Sequence, residues 1–151
     1  GSGSLKPINA NNDTEYHSSS VYGGSFDYQW PLSSWLSTSL MVHESGGEGT
    51  MPTKSEYKYY KSGIIGLQLK IWMGPLYLGV HGGQYYLTWI ESMSAYSGIQ
   101  QAGGSGYSIG FETSSGWFLA AFSDQSETFS FDEMPDQQVE GNRVMLGYRW
   151  K

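Results

Sequence analysis

Residues 63–83 read GIIGLQLKIWMGPLYLGVHGG, and this stretch decides the fold class. Aliphatic side chains alternate with polar or small ones in Leu67–Ile71, and the alternation returns in Leu76–Val80. A period of two predicts β-strands with two different faces. Proline has no backbone N–H to donate to a strand ladder, so Met73-Gly74-Pro75 predicts a tight turn between two antiparallel strands.

The same period recurs along the chain and predicts seven strands. They are Val21–Trp30, Trp35–His43, Tyr57–Trp72, Leu76–Trp89, Gly104–Glu112, Trp117–Phe131 and Asn142–Trp150. Short turns alternate with longer polar loops, which is typical of an up-and-down antiparallel transmembrane β-barrel. An even number of strands is needed if both termini lie at the short-turn end. We therefore expect eight, with residues 1–15 as a linker or irregular first strand and residues 16–151 as the barrel domain.

Composition excludes several classes of function. The 151 residues carry a net charge of −6 and no cysteine, and 16% of them are aromatic. Nucleic acid is not expected as a partner, because phosphate binding needs clustered Lys and Arg. Disulfides and thiolate metal sites are absent. The histidines His17, His43 and His81 are too dispersed to predict a metal site, and no cofactor is expected.

Tryptophan and tyrosine positions predict which solvent surrounds the strands. Most Trp residues lie at short turns or at the C-terminal end, and further aromatics lie near the opposite ends of the strands. Two aromatic belts separated by aliphatic residues are typical of the two membrane–water interfaces. The predicted girdle consists of Trp30, Trp35, Trp72, Trp117, Trp150, Tyr148, Tyr57, Tyr59, Tyr85 and Trp89.

The opposite strand faces carry ionisable groups, which we expect to be sealed inside the barrel. Isolated charges are costly in an apolar lumen but can neutralise one another in a polar one. The predicted interior network is Asp27, Lys70, His81, Glu112, Arg143 and Arg149. Four of these, Asp27, Lys70, Glu112 and Arg149, lie at similar distances from the short-turn end, so we expect a tier of opposite charges there.

Three segments carry a likeness to known proteins: Val21–Val42 with its turn at Pro31-Leu32, Gly74–Gly79, and the terminal Gly147–Trp150. With these the chain resembles the small outer-membrane β-barrel proteins, the group that includes the OmpA transmembrane domain, OmpX and OmpW. The resemblance implies a location in the bacterial outer membrane, with membrane lipid and lipopolysaccharide as partners. Trp150 fills the place of the terminal aromatic residue usual in this group, although Lys151 follows it.

One short motif suggests catalysis. His43-Glu44-Ser45 resembles the His-x-Ser arrangement of the outer-membrane lipid A deacylase, in which a Glu completes a triad. The alternative without catalysis is a strand end that enters a polar loop. We prefer this interpretation, because a motif of three residues often occurs by chance. We therefore predict no enzyme activity, with lipid A hydrolysis as the alternative.

The loops carry the excess of acidic over basic residues, together with several apolar residues that we expect to be exposed. Binding sites are often found in loops on a rigid scaffold. The leading prediction is a non-enzymatic outer-membrane protein with a structural or adhesion-type role in loops 44–54, 91–98 and 132–138, which could meet an extracellular or host ligand. One alternative is a narrow pore or channel for a small hydrophobic ligand. Another is a soluble lipocalin-like barrel that binds a hydrophobic ligand and is completed by a partner strand.

Overall fold

The computed structural model describes residues 2–7, 16–18, 21–48, 59–92, 95–96, 99–130 and 136–150. They form an all-β structure of antiparallel strands that run up and down, which confirms the predicted fold class at this level. No helix in these ranges is long and apolar enough to cross a membrane.

The strands in chain order are β1 (Ser2–Pro7), β2 (Tyr16–Ser18), β3 (Val21–Pro31), β4 (Leu36–Glu48), β5 (Tyr59–Met73), β6 (Leu76–Ser92), β7 (Ala95–Tyr96), β8 (Gln100–Glu112), β9 (Trp117–Ser126) and β10 (Gln137–Tyr148). Seven of them are long and make up a curled half-barrel, with the order β10-β9-β8-β6-β5-β4-β3. Two of the tight turns contain a glycine with positive φ, 66° at Gly74 and 96° at Gly116, a conformation that other residues rarely adopt.

The two ends of the sheet lie at β2 and β3. Strand β1 pairs with β10 from Ser2 opposite Asn142 to Pro7 opposite Gln137, and its other edge pairs with β2. The remainder of β10, residues 143–148, has only β9 beside it among the described strands. Across this gap the Ser25 hydroxyl lies 3.8 Å from the sulfur of Met145, so β3 and β10 approach through side chains.

The buried side of the sheet changes character along the strands. We call the part next to the short turns 32–35, 74–75 and 113–116 the turn half, and the other part the loop half. In the turn half the concave face buries many polar groups, namely Ser37, Ser39, Gln68, Lys70, His81, Ser108 and Asp124, beside Met41, Tyr77 and Phe122. In the loop half it buries a mainly apolar core of Tyr60, Ile64, Leu87, Trp89, Ala102 and Phe129.

The outward face changes in the opposite sense. In the turn half it exposes large apolar side chains on every long strand, including Phe26, Tyr28, Leu40, Ile65, Leu67, Leu69, Leu78, Val80, Tyr107, Ile109, Leu119, Val144 and Leu146. In the loop half the outward positions are mainly polar or glycine, including Gly24, Glu44, Lys61, Gln84, Gln101, Ser105, Gln125 and Glu140. The inside and the outside of the sheet therefore exchange polarity at one level of the structure.

Candidate functional site

The first ion pair of the turn half joins β3 to β5 across the strand between them. The Lys70 ammonium is bound to the Asp27 carboxylate and also donates to the Gln29 side-chain oxygen at 3.2 Å. Lys70 is 2% exposed, and its ammonium lies 5.2 Å from the centre of the Tyr77 ring. A buried ammonium with a carboxylate, an amide oxygen and an aromatic face around it has its charge compensated.

A second pair lies near the short-turn end. Arg149 Nη1 is 2.5 Å from a Glu112 oxygen, and the guanidinium lies 5.8 Å from the Trp72 ring. Asp27, Lys70, Glu112 and Arg149 thus occur as two pairs of opposite charge on the concave face.

A third cluster is centred on Asp124 of β9. Its Oδ2 lies 2.9 Å from Arg143 Nη1, and its Oδ1 lies 2.6 Å from His81 Nε2. The Tyr85 hydroxyl donates to the same Oδ1 at 3.1 Å. Arg143 also lies over the Phe122 ring at 4.7 Å. The Asp124 carboxylate thus joins β9 to side chains of β6 and β10.

Sequence reasoning missed Asp124, because Trp117–Phe131 is apolar on both faces at its start and the pattern does not decide which face is inward. The pairing with β8 and β10 fixes it: Phe118, Phe122 and Asp124 lie on the concave side. Gln68, which the alternation of β5 also places on the polar face, donates to the Ser108 hydroxyl at 2.7 Å.

The predicted aromatic girdle divides into three groups. Trp30, Trp35, Tyr59, Trp117, Tyr148 and Trp150 are exposed. Trp72, Tyr85 and Trp89 face the concave side, so their assignment to an outer belt was wrong. Trp72 donates to the Ser37 hydroxyl at 2.8 Å, and Tyr85 and Trp89 are 3% and 0% exposed. Tyr57 lies outside the described residues.

Two of these corrections share a physical reason. Tyr85 and Trp89 lie in the loop half, where the concave face is the dry side of the sheet, and aromatic side chains there pack into the core. Trp72 lies in the turn half and faces inward because it shares the strand face of Gln68 and Lys70. Tyr60 and Trp89 form a tilted ring pair with centroids 5.6 Å apart. The part of the chain that the structure describes therefore has its exposed Trp residues at the short-turn end.

The residues His43-Glu44-Ser45 do not form a triad. His43 is buried on the concave face, whereas Glu44 is exposed and binds Lys61 Nζ at 3.3 Å and the Tyr86 hydroxyl at 3.2 Å. The Ser45 hydroxyl lies 3.2 Å from that of Ser62. Neighbouring residues of a strand point to opposite faces, which separates the acid from the base.

The concave side has little free space in the turn half. The cavity between β3, β5 and β10, lined among others by Asp27, Lys70 and Arg149, has a volume of about 20 Å³. That is room for about one water molecule. Among the described residues no group of three or more His, Asp or Glu side chains could hold a metal ion.

The predicted binding loops lie only partly within the described ranges. Strand β4 continues to Glu48 and so takes up the start of loop 44–54, and β6 and β7 take up parts of 91–98. Comparisons with protein-family models, curated proteins and solved structures give no match to this chain.

Proposed function

We propose that this chain is a transmembrane β-barrel of the bacterial outer membrane, with the turn half in lipid and the loop half outside it. The exchange of polarity between the two halves carries the proposal. A water-soluble barrel keeps its apolar side chains inside at every level, whereas Leu67 and Leu146 are 60% and 72% exposed here. Exposed apolar area of this extent is unfavourable in water and favourable against acyl chains.

The proposed barrel has eight strands, with β1 as the eighth. Two observations support this closure: β1 runs antiparallel to both β10 and β2, and only two residues separate Ser18 of β2 from Val21 of β3. Unpaired strand edges are costly in hydrocarbon, so closure is expected of any barrel that spans a bilayer.

The proposed role is display rather than transport or catalysis. Within the residues that the structure describes, the turn-half cavity has a volume of only about 20 Å³ and the loop half buries an apolar core, and both features argue against a pore. The charged lumen argues equally against a carrier of hydrophobic ligands. We propose that the loop half and its loops form a rigid surface for a structural or adhesion-type interaction, as in the small outer-membrane barrels that the sequence resembles.

A matched pair of variants tests the membrane assignment. Leu146 and Gln84 are both exposed on outward strand faces, the first in the turn half and the second in the loop half. An arginine near the middle of a bilayer costs a barrel about 2–4 kcal/mol and much less outside it. Leu146→Arg should therefore lower the folding free energy in lipid vesicles by about that amount, and Gln84→Arg should leave it nearly unchanged.

The readout is the urea dependence of the folded fraction, followed by heat-modifiable migration on a gel. Equal effects of the two variants, or a wild-type chain that folds in buffer without detergent or lipid, would refute the proposal.

A further inference from the structure

Two adjoining depressions lie on the outward face of the sheet, along β6, β8, β9 and β10 and reaching Leu69 and Ile71 of β5. Their volumes are about 690 Å³ in the turn half and about 360 Å³ in the loop half. They share Val80, Tyr107, Ser123 and Asn142, which are register partners in one row across the four strands. We call the two depressions together the β9 furrow.

The lower part of the β9 furrow is lined by apolar side chains, and it is a groove because a small side chain lies between larger ones. Ala121 of β9 is the register partner of Ile109 on one side and Val144 on the other. Both neighbours are more than half exposed, and Leu78 continues the same row. A small residue between larger ones leaves a groove along β9 that is walled by aliphatic groups.

The upper part of the β9 furrow offers hydroxyl, amide and carboxylate groups. Ser105, Gln125 and Glu140 form the next row toward the loop half, and the Gln125 amide donates to the Glu140 carboxylate at 3.3 Å. No Lys or Arg lines this part among the described residues. Arg143, which borders the lower part, directs its guanidinium to Asp124 on the concave side.

We infer that the β9 furrow binds a lipid with an uncharged, hydroxyl-rich headgroup, the chemistry of a glycolipid. This inference rests on the proposed membrane insertion. The acyl chain lies against Ile109, Ala121 and Val144, and the headgroup hydroxyls bond to serine and amide side chains in the row above. Hydroxyl and amide groups both donate and accept, whereas a phosphate would need Lys or Arg partners.

Tyr107 lies at the junction of the two parts, and its side chain is exposed. Tyrosine favours the membrane–water interface because its ring is apolar and its hydroxyl is polar. On the other side of the sheet, the outward rows of β3 and β4 pair Tyr28 with Leu40 and Phe26 with Val42, and all four side chains are large. The binding site is therefore local to one side of the sheet.

The test uses the full chain in phosphatidylcholine nanodiscs, with methyl NMR of Ala121, Val80 and Val144. Monoglucosyl diacylglycerol is titrated into the discs, and phosphatidylglycerol with the same acyl chains is titrated separately. Saturable shifts of these methyl groups with the glucolipid, and only gradual shifts with phosphatidylglycerol, are expected. Ala121→Phe and Ser123→Phe, which fill the furrow at two levels, should weaken the saturable response at least tenfold, as read from the Val80 and Val144 methyl groups.

Leu40→Phe on the far side is the matched control and should leave the response intact. Gradual shifts with both lipids would mean ordinary annular contact and would overturn the inference. Saturation by phosphatidylglycerol would overturn its headgroup assignment. Failure of the wild-type chain to enter nanodiscs at all would instead refute the proposed membrane insertion, and the lipid site with it.

Discussion

His81 Nε2 and Asp124 Oδ1 lie 2.6 Å apart directly above Gly106, which is the register partner of both residues on the strand between them. The side chains of His81 on β6 and Asp124 on β9 thus meet in a crossing over β8, at the position where Gly106 has no side chain. The polar lumen depends on this arrangement, because a buried carboxylate is tolerable only when it is paired.

Gly106→Ala should disrupt this crossing. A Cβ at position 106 would lie 2.5 Å from His81 Nε2 and closer still to the Ser123 carbonyl oxygen. Because backbone and the buried His81–Asp124 contact must shift together, we expect a loss of about 2 kcal/mol in the free energy of unfolding, measured by urea titration in lipid vesicles. Gly24→Ala, whose Cβ would meet nothing within 4 Å, is the control and should be neutral. Equal stabilities would contradict the crossing.

Removal of one partner of the Asp27–Lys70 pair should cost more than removal of both. Lys70→Met leaves a carboxylate without its cation, and breaking a buried pair costs about 3 kcal/mol or more. The Asp27 side chain is 25% exposed, so water can offset part of the penalty. The double variant Asp27→Asn with Lys70→Met should recover most of the loss, and a double-mutant cycle measures the coupling. Additive effects of the two substitutions would show that the pair is not coupled.

The sequence pattern was sufficient where one strand face is uniformly apolar. Leu67–Ile71 alternates without exception, and in Val144–Tyr148 one face is apolar throughout, so the outward and concave faces of both could be predicted from period alone. In Trp117–Phe131 both faces begin with apolar residues, and only the register with β8 and β10 decides that Asp124 lies inside.

The exchange of polarity between the halves could not be predicted from local pattern. Trp89 precedes a polar connection and Trp117 follows one, so the two residues look alike in the sequence. Their different surroundings depend on how far along the sheet each one lies, and that distance is set by register across several strands. The same register brings His81 and Arg143 to one carboxylate.

Trp89→Ala and Trp35→Ala should separate the core from the outer girdle. Trp89 is fully buried in the loop half, so its truncation leaves a cavity and should cost about 3–5 kcal/mol. Trp35 is exposed at a short turn, and its loss should cost less than about 1 kcal/mol. Thermal unfolding in one detergent gives both values. Similar losses would indicate that Trp89 is an interface anchor, as the sequence alone suggested.

The proposed membrane insertion predicts a preference for thin bilayers, because the outward apolar side chains of the turn half, which we call the apolar belt, cover a short length of each strand. The apolar belt extends over Leu76–Val80 on β6 and over Ile65–Met73 on β5. At about 3.3 Å per residue and a tilt of about 40°, these runs cover roughly 13–23 Å, less than the band of about 25 Å usual for such barrels.

A belt thinner than the bilayer carries an unfavourable free energy of mismatch, so the fraction folded should be higher in phosphatidylcholine with 12-carbon chains than with 18-carbon chains. Heat-modifiable migration on a gel measures that fraction. Gln84→Leu combined with Ser105→Leu extends the belt into the loop half and should raise the fraction folded in the thicker bilayer, because both side chains are exposed just beyond the present boundary. Equal folding in the two lipids, or no gain from the double variant, would show that the belt ends elsewhere.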